Sequence, residues 1–272
     1  MGLFGTTVVE WKDTFNEETV FWKWNDSEIK KGSRLVLRPG QDAIFINNGQ
    51  IEGIFTDDGT YDIESEIVPF LNTLNNFRFG FTQTLKVEII FVNTTVMSAK
   101  WGTKNAILVS TENIPGGMPV RAFGTFSFKI NDYLSLIENV AGIRKIYKVT
   151  DIRERVIANV DRLLMKWISR SGKDMLNLQG SAYDIGTGML EDMNNELMDT
   201  GVMFVDFNIQ GFSYPDDVEK YRNMEIGKKL GRVGVEHSDK NVKQVTAPKF
   251  CPECGTPTNG AKFCPECGHK LI

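Results

Sequence analysis

The chain has 272 residues, 41% of them hydrophobic, 24% charged and 11% aromatic. These are ordinary globular proportions, which excludes wholesale disorder or a coiled-coil fibre, and the length suffices for a core without disulfide staples. The net charge of −4 hides an asymmetry. Residues 1–219 hold 21 Lys+Arg against 30 Asp+Glu, giving −9, whereas residues 220–272 hold 10 against 5, giving +5. Unbroken apolar stretches such as 89–92 span only a few residues, against the roughly 20 of a bilayer span, so no transmembrane helix is expected. The N-terminus lacks the basic and apolar regions of a signal peptide, though Gly2 with Thr6 fits the short myristoylation pattern.

Residues 1–130 read mostly as strands. Asn48-Gly49 between the apolar runs 43–46 and 51–55 predicts a two-residue hairpin turn. Asp57-Asp58-Gly59 predicts a second turn. Leu85, Val87, Ile89 and Phe91 alternate with polar residues, as do Val120, Ala122, Gly124, Phe126, Phe128 and Ile130; both patterns predict half-buried strands. Pro115-Gly116-Gly117 is expected to break the chain between them.

After Ile130 the period changes. Asn131-Asp132 signals a helix start, and 133–140 predicts a short helix ended by Gly142. Helical stripes follow at Ile152, Val156, Val160, Leu163, Leu164 and Trp167, and at Ala182, Ile185, Met189, Met193 and Leu197, the second stopped by Gly201. A strand over 203–209 comes next, and Pro215-Asp216-Asp217 opens a last helix reaching about Gly227. Residues 228–249 have no period and read as a flexible basic linker. The order of elements predicts an α+β body of antiparallel strands packed with helices.

All four cysteines fall in the last 22 residues, which points to a reducing compartment and one local metal site. Cys251-Pro252-Glu253-Cys254-Gly255 and Cys264-Pro265-Glu266-Cys267-Gly268 form two near-identical knuckles. Four thiolates at about 2.3 Å close a tetrahedral shell with no position left for water. One structural Zn2+ at Cys251, Cys254, Cys264 and Cys267 fits best, with iron in a rubredoxin-like site as the runner-up. So short a segment cannot fold without such a clip. His269 reads as a surface residue. The positive charges of this module, Lys249, Lys262 and Lys270, are offset in number by Glu253, Glu266 and the thiolates. That is a poor phosphate footprint, so a protein-interaction role is preferred to nucleic acid.

No catalytic constellation emerges. Gly172-Lys173 lacks the earlier Gly of a phosphate loop, and Gly186-Thr187-Gly188 lies inside a helical stripe without the third Gly of a dinucleotide loop. Ser27-Glu28-Ile29-Lys30 matches a Ser-x-x-Lys pair but reads as an exposed turn. Asp57-Asp58 and Asp216-Asp217 sit where turns and helix starts favour Asp anyway. The body has no cysteine and no histidine, so a non-enzymatic protein is expected. Trp11, Trp22 and Trp24, interleaved with Phe4, Phe15 and Phe21 and near Lys12, Lys23, Lys30 and Lys31, suit a membrane or partner contact; the alternative is that the rings cap the end of a β-layer.

Residues 31–55, KGSRLVLRPGQDAIFINNGQIEGIF, with TDDGTYD at 56–62, resemble the opening of the SPFH (Band 7, prohibitin-homology) domain. KVEIIFVN at 86–93, VRAFGTFSFKINDYL at 120–134, the helix at 152–168 and DTGVMFVDFNIQGFSYP at 199–215 resemble its later segments in order. An SPFH body followed by a double Cys-x-x-Cys ribbon is similar to a bacterial subgroup often labelled virion-core-like. The resemblance implies an SPFH-like domain over 1–215, a short helix and linker over 216–249, and a zinc ribbon over 250–272. It further implies a homo-oligomer, cytoplasmic and peripheral at the inner face of a membrane. Its partners would be membrane proteins or a membrane-remodelling scaffold of the phage-shock type. Many relatives carry a membrane hairpin and a long coiled coil, which this sequence lacks; recruitment through a partner, with the ribbon or the Trp-rich edge as adaptor, is then favoured. The alternative reading is a nucleic-acid binder using the basic tail.

Overall fold

The structure is a computed structural model that describes residues 7–12, 16–24, 28–30, 32–47, 49–67, 84–111, 114–141, 144–171, 175–220, 248–258 and 261–271. The strands are β1 (Val8–Glu10), β2 (Thr19–Lys23), β3 (Glu28–Lys30), β4 (Arg34–Leu37), β5 (Gln41–Asn47), β6 (Gln50–Phe55), β7 (Gly59–Asp62), β8 (Thr84–Lys86), β9 (Glu88–Asn93), β10 (Met97–Gly102), β11 (Ile107–Thr111), β12 (Ile114–Ile130), β13 (Ile146–Lys148) and β14 (Val202–Ser213). The helices are α1 (Tyr133–Leu136), α2 (Val149–Ser171) and α3 (Ala182–Glu196). The expected α+β class is what the chain adopts. It forms two compact units: Met1–Met97, Phe128–Ile152 and Glu196–Met203 in the first, Ser98–Ser127, Arg153–Asn195 and Phe204–Ile272 in the second.

The first unit is built on a five-stranded sheet in the order β13-β2-β9-β5-β6, with a three-stranded sheet β1-β4-β7 and a β3-β8 ribbon. The β5–β6 hairpin pairs Asn47 with Gln50 across residues 48–49, and Gly49 has φ 80°, the left-handed conformation such a turn needs. Val9, Leu35, Phe45, Ile63, Ile89 and Phe91 fill the core. Asn93 is buried yet satisfied: its Nδ2 donates to the Thr19 carbonyl at 3.2 Å, and its Oδ1 accepts from the Thr95 amide at 3.0 Å. Asp132 caps α1, its Oδ1 accepting from the Leu134 and Ser135 amides at 2.9 and 3.2 Å. The helix then widens into a looser turn over Ile137–Ala141.

The second unit is built on a sheet in the order β10-β12-β11 with β14 also against β12. Trp101 stacks on Phe207 with centroids 4.9 Å apart, and Phe126 packs against Phe204 at 5.7 Å. Helices α2 and α3 meet through Gly188, where a Cβ would stand 2.3 Å from the Trp167 ring. Asp192 of α3 accepts from Trp167 Nε1 at 2.7 Å and from Lys166 Nζ at 2.6 Å. The Gly186-Thr187-Gly188 run therefore serves packing.

Three local expectations change. Residues 115–117 do not break the chain; they lie inside β12, the pairing with β11 running to Thr111 opposite Ile114 with a register shift between Val109 and Thr111. Residues 28–30 are not an exposed turn but strand β3, since Ile29, at 1% exposure, is drawn into the core. The short helix expected over 133–140 is regular only as far as Leu136. The last helix is described over residues 216–220. Its continuation to Gly227, residues 228–247 of the expected 228–249 linker, the Gly2–Thr6 pattern and Ser27 lie outside the described residues.

Replacing Gly188 by Val is expected to lower the unfolding free energy by about 3 kcal/mol, the upper range for overpacking a close contact, as read by urea denaturation. The Asp132 carboxyl is held below its ordinary range by its hydrogen bonds with Ser135. A depressed folded value means that its stabilisation is present above the unfolded value and is lost as pH falls through the folded one. Asp132→Ala should cost about 1 kcal/mol at neutral pH and less in acid below both values, a difference that paired melts at the two pH values will show.

Candidate metal centre

The four cysteines come together at the C-terminus of the chain. Their sulfur atoms all lie within 4.8 Å of one another, with Cys251–Cys267 at 3.6 Å and Cys254–Cys264 at 3.3 Å. These are far longer than a disulfide's roughly 2.05 Å. Both are slightly shorter than the separation of about 3.8 Å that tetrahedral zinc with bonds of about 2.3 Å imposes.

Each knuckle is a tight turn clipped by a hairpin, and the second repeats the first at an offset of thirteen residues. The Gly255 amide donates to the Cys251 carbonyl at 2.9 Å, and the Gly268 amide donates to the Cys264 carbonyl at 3.0 Å. Both glycines take φ near 72°, which side chains disfavour. Cys251 N donates to Thr256 O at 2.9 Å and Cys264 N to His269 O at 2.8 Å. Phe250 bridges to Pro257, and Phe263 to Lys270. The Glu266 amide points at Cys264 Sγ, 3.4 Å away, where it would soften the charge of a bound thiolate.

Cys251, Cys264 and Cys267 are buried and Cys254 is exposed. Burial pushes the Cys264 and Cys267 thiols up. Burial also opposes ionisation of Cys254, but hydrogen bonding with Thr256 and the neighbouring sulfurs holds it down to about 6. Without a cation, burial therefore works against ionising Cys264 and Cys267. A bound divalent metal supplies the missing charge, and an all-sulfur donor set selects a soft or borderline ion. The residues fit such a site, and a closed shell leaves no place for a reacting water.

The ribbon also touches the sheet and helix of its own unit. Lys100 Nζ is 2.6 Å from Glu253 Oε2. Arg153 Nε donates to the Lys100 carbonyl at 2.8 Å, and its NH2 group to the Glu266 carbonyl. A Cβ on Gly102 would stand 2.8 Å from the Cys267 carbonyl and the Gly268 amide nitrogen. The Arg121 guanidinium lies 5.5 Å over the Phe263 ring. Lys262 pairs with Asp216 at 3.0 Å and Lys270 with Glu219 at 3.7 Å. None of these supporting residues was legible from the sequence, because the partners are 113 to 153 residues apart for Arg153 and Lys100.

The three tryptophans fall in one aromatic cluster of the first unit, Trp11 inside it. Trp11 is 1% exposed in the core of the first unit, with its carbonyl accepting from Gln41 Nε2 at 2.8 Å. It stacks on Trp22 at 6.3 Å, and Trp22 meets Trp24 edge-on at 5.6 Å. Trp11 thus has no free ring face for a bilayer or partner, because Trp22 and Phe91 cover it. Trp22 and Trp24 are half-buried against the same cluster.

Comparison with known proteins agrees with this architecture. Residues 20–231 match the SPFH domain-Band 7 family. The chain belongs to that family. Residues 249–271 match a zinc-ribbon domain, the segment that holds the four sulfurs. The chain is also 54% identical over 212 residues to YdjI of Bacillus subtilis (strain 168), an uncharacterized protein; the match covers 78% of this chain and 65% of that relative. SPFH domain-Band 7 proteins commonly act as membrane-associated scaffolds and oligomerise.

The full chain is expected to carry one zinc, counted by native mass spectrometry. Cys264→Ser should weaken retention against a chelator by more than the roughly 10–100-fold that loss of a merely supporting group costs, whereas His269→Ala should retain the metal. Because binding must strip protons from the raised Cys264 and Cys267 thiols, retention should fall as pH is lowered.

Proposed function

We propose that this protein is a non-enzymatic, membrane-associated scaffold or adaptor. It assembles as a homo-oligomer through its SPFH domain and recruits a protein partner through the ribbon, where a structural zinc holds the fold. The observation that carries the reading is the family match over residues 20–231, joined to a second module, at residues 249–271, whose sulfurs form a closed shell. The partner we favour is a membrane protein or a membrane-remodelling scaffold of the phage-shock type, met at the cytoplasmic face. Among the described residues no helix is long and apolar enough to cross a membrane, and the association we propose is peripheral. Trp22 and Trp24 are the apolar side chains we assign to that contact.

A nucleic-acid role for the tail draws no support from the charges of the ribbon, since Lys262 and Lys270 are engaged by Asp216 and Glu219.

Fractionation of native cells tests the reading. The protein should be found in the membrane pellet and leave it in one of two separate washes. Release by high salt assigns the contact to charge or to a partner; release by detergent assigns it to apolar side chains. A protein found only in the supernatant, and monomeric by light scattering, would overturn the proposal.

A further inference from the structure

The ribbon rests on the sheet of its own unit through contacts that lie beside its metal ligands. Glu253, which pairs with Lys100, adjoins Cys254. Glu266, whose carbonyl and carboxylate both face Arg153, adjoins Cys267. Gly102 of β10 meets the backbone of Cys267 and Gly268, and Phe263, under Arg121, adjoins Cys264. The position of each of these groups is set by the fold of a knuckle. The knuckles have almost no core of their own: three buried cysteines with Leu271 packed against them. The metal is what holds them in shape.

We infer that the ribbon is a metal-held latch: with the four cysteines loaded it covers the strand surface at Lys100–Gly102 and Arg121–Phe123, and on metal loss it releases that surface. The inference rests on the tetrathiolate metal reading above. Three features make the latch releasable. The Lys100–Glu253 pair is exposed on both sides, 56% and 44%, and the Lys262–Asp216 pair likewise, at 63% and 55%, so neither holds strongly alone. The close approach at Gly102 depends on the exact course of the Cys267 backbone, so a knuckle without metal no longer fits it. The guanidinium of Arg153, with its side chain only 19% exposed, reaches the ribbon through the Glu266 carbonyl, which is presented only by the folded turn. One event, loss of the ion, therefore removes every contact together.

Zero-length cross-linking of the full chain tests this. A carbodiimide joins a lysine to a carboxylate only where the two touch, and the products are read by mass spectrometry. In the zinc-loaded protein, Lys100–Glu253 and Lys262–Asp216 links are expected. A chelator should reduce both at least about tenfold, while a Lys23–Glu88 link in the first unit, where the groups are 2.5 Å apart, persists. Gly102→Val, and separately Arg153→Ala should the first variant fail to fold, ought to lower the Lys100–Glu253 link while one zinc per chain is retained. A link that survives chelation, or that is absent from the loaded protein, overturns the latch and leaves the metal site standing. Absence of zinc from the purified chain overturns the metal reading and the latch with it. Mixing isotopically light and heavy protein closes the remaining route: links joining light to heavy peptides would place the ribbon on a second copy and overturn a latch within one chain.

Discussion

Four sulfur atoms within 4.8 Å of one another repel as thiolates and contribute little as thiols, so the geometry of the ribbon depends on a cation that neutralises them. Burial drives Cys264 and Cys267 toward the thiol, and only a metal reverses that preference. The glycines with left-handed φ, the amide aimed at Cys264 and the paired hairpins all serve the same constraint. They bring the two pairs of sulfurs to one point.

The rest of the second unit accommodates this module by omission. Gly102 has no side chain where the Cys267 backbone passes, and a Cβ on Gly268, at φ 73°, would stand 3.2 Å from Phe123 Cβ. Charged groups then complete the fit around the rim. The first unit is stabilised differently, by a β-layer with a continuous apolar core and by polar residues, Asn93 and Gln41, that satisfy buried backbone groups. Trp11 belongs to that layer, which is why an aromatic N-terminal segment that suggested a contact edge became, in part, core. The body carries the SPFH domain of its family, and the ribbon gathers the four cysteines beside the sheet of its own unit.

Several features of the fold could be read directly along the chain. The β5–β6 hairpin, the alternation in β9 and β12 and the stripes of α2 and α3 are local patterns, and a period of two or of 3.6 needs no knowledge of what lies opposite. Strand β3 and the run at 115–117 misled for the converse reason. Ile29 is in a strand because a partner strand and the core claim it, and Pro115-Gly116-Gly117 is tolerated in β12 because the turn lies elsewhere. In both cases tertiary pairing overrode local preference.

By itself the sequence determined the metal centre: ligand type, spacing and the glycine after each knuckle are local, and the fourfold sulfur chemistry follows from them. It also determined the α+β class, since the apolar periods survive in one dimension. Only the tertiary structure decided which side chains meet the ribbon. Gly102, Arg121 and Arg153 carry no signature, because a missing Cβ or a lone guanidinium acquires meaning only from the surface brought against it. It likewise decided the fate of Trp11, because burial is a property of what packs around a ring and not of the ring.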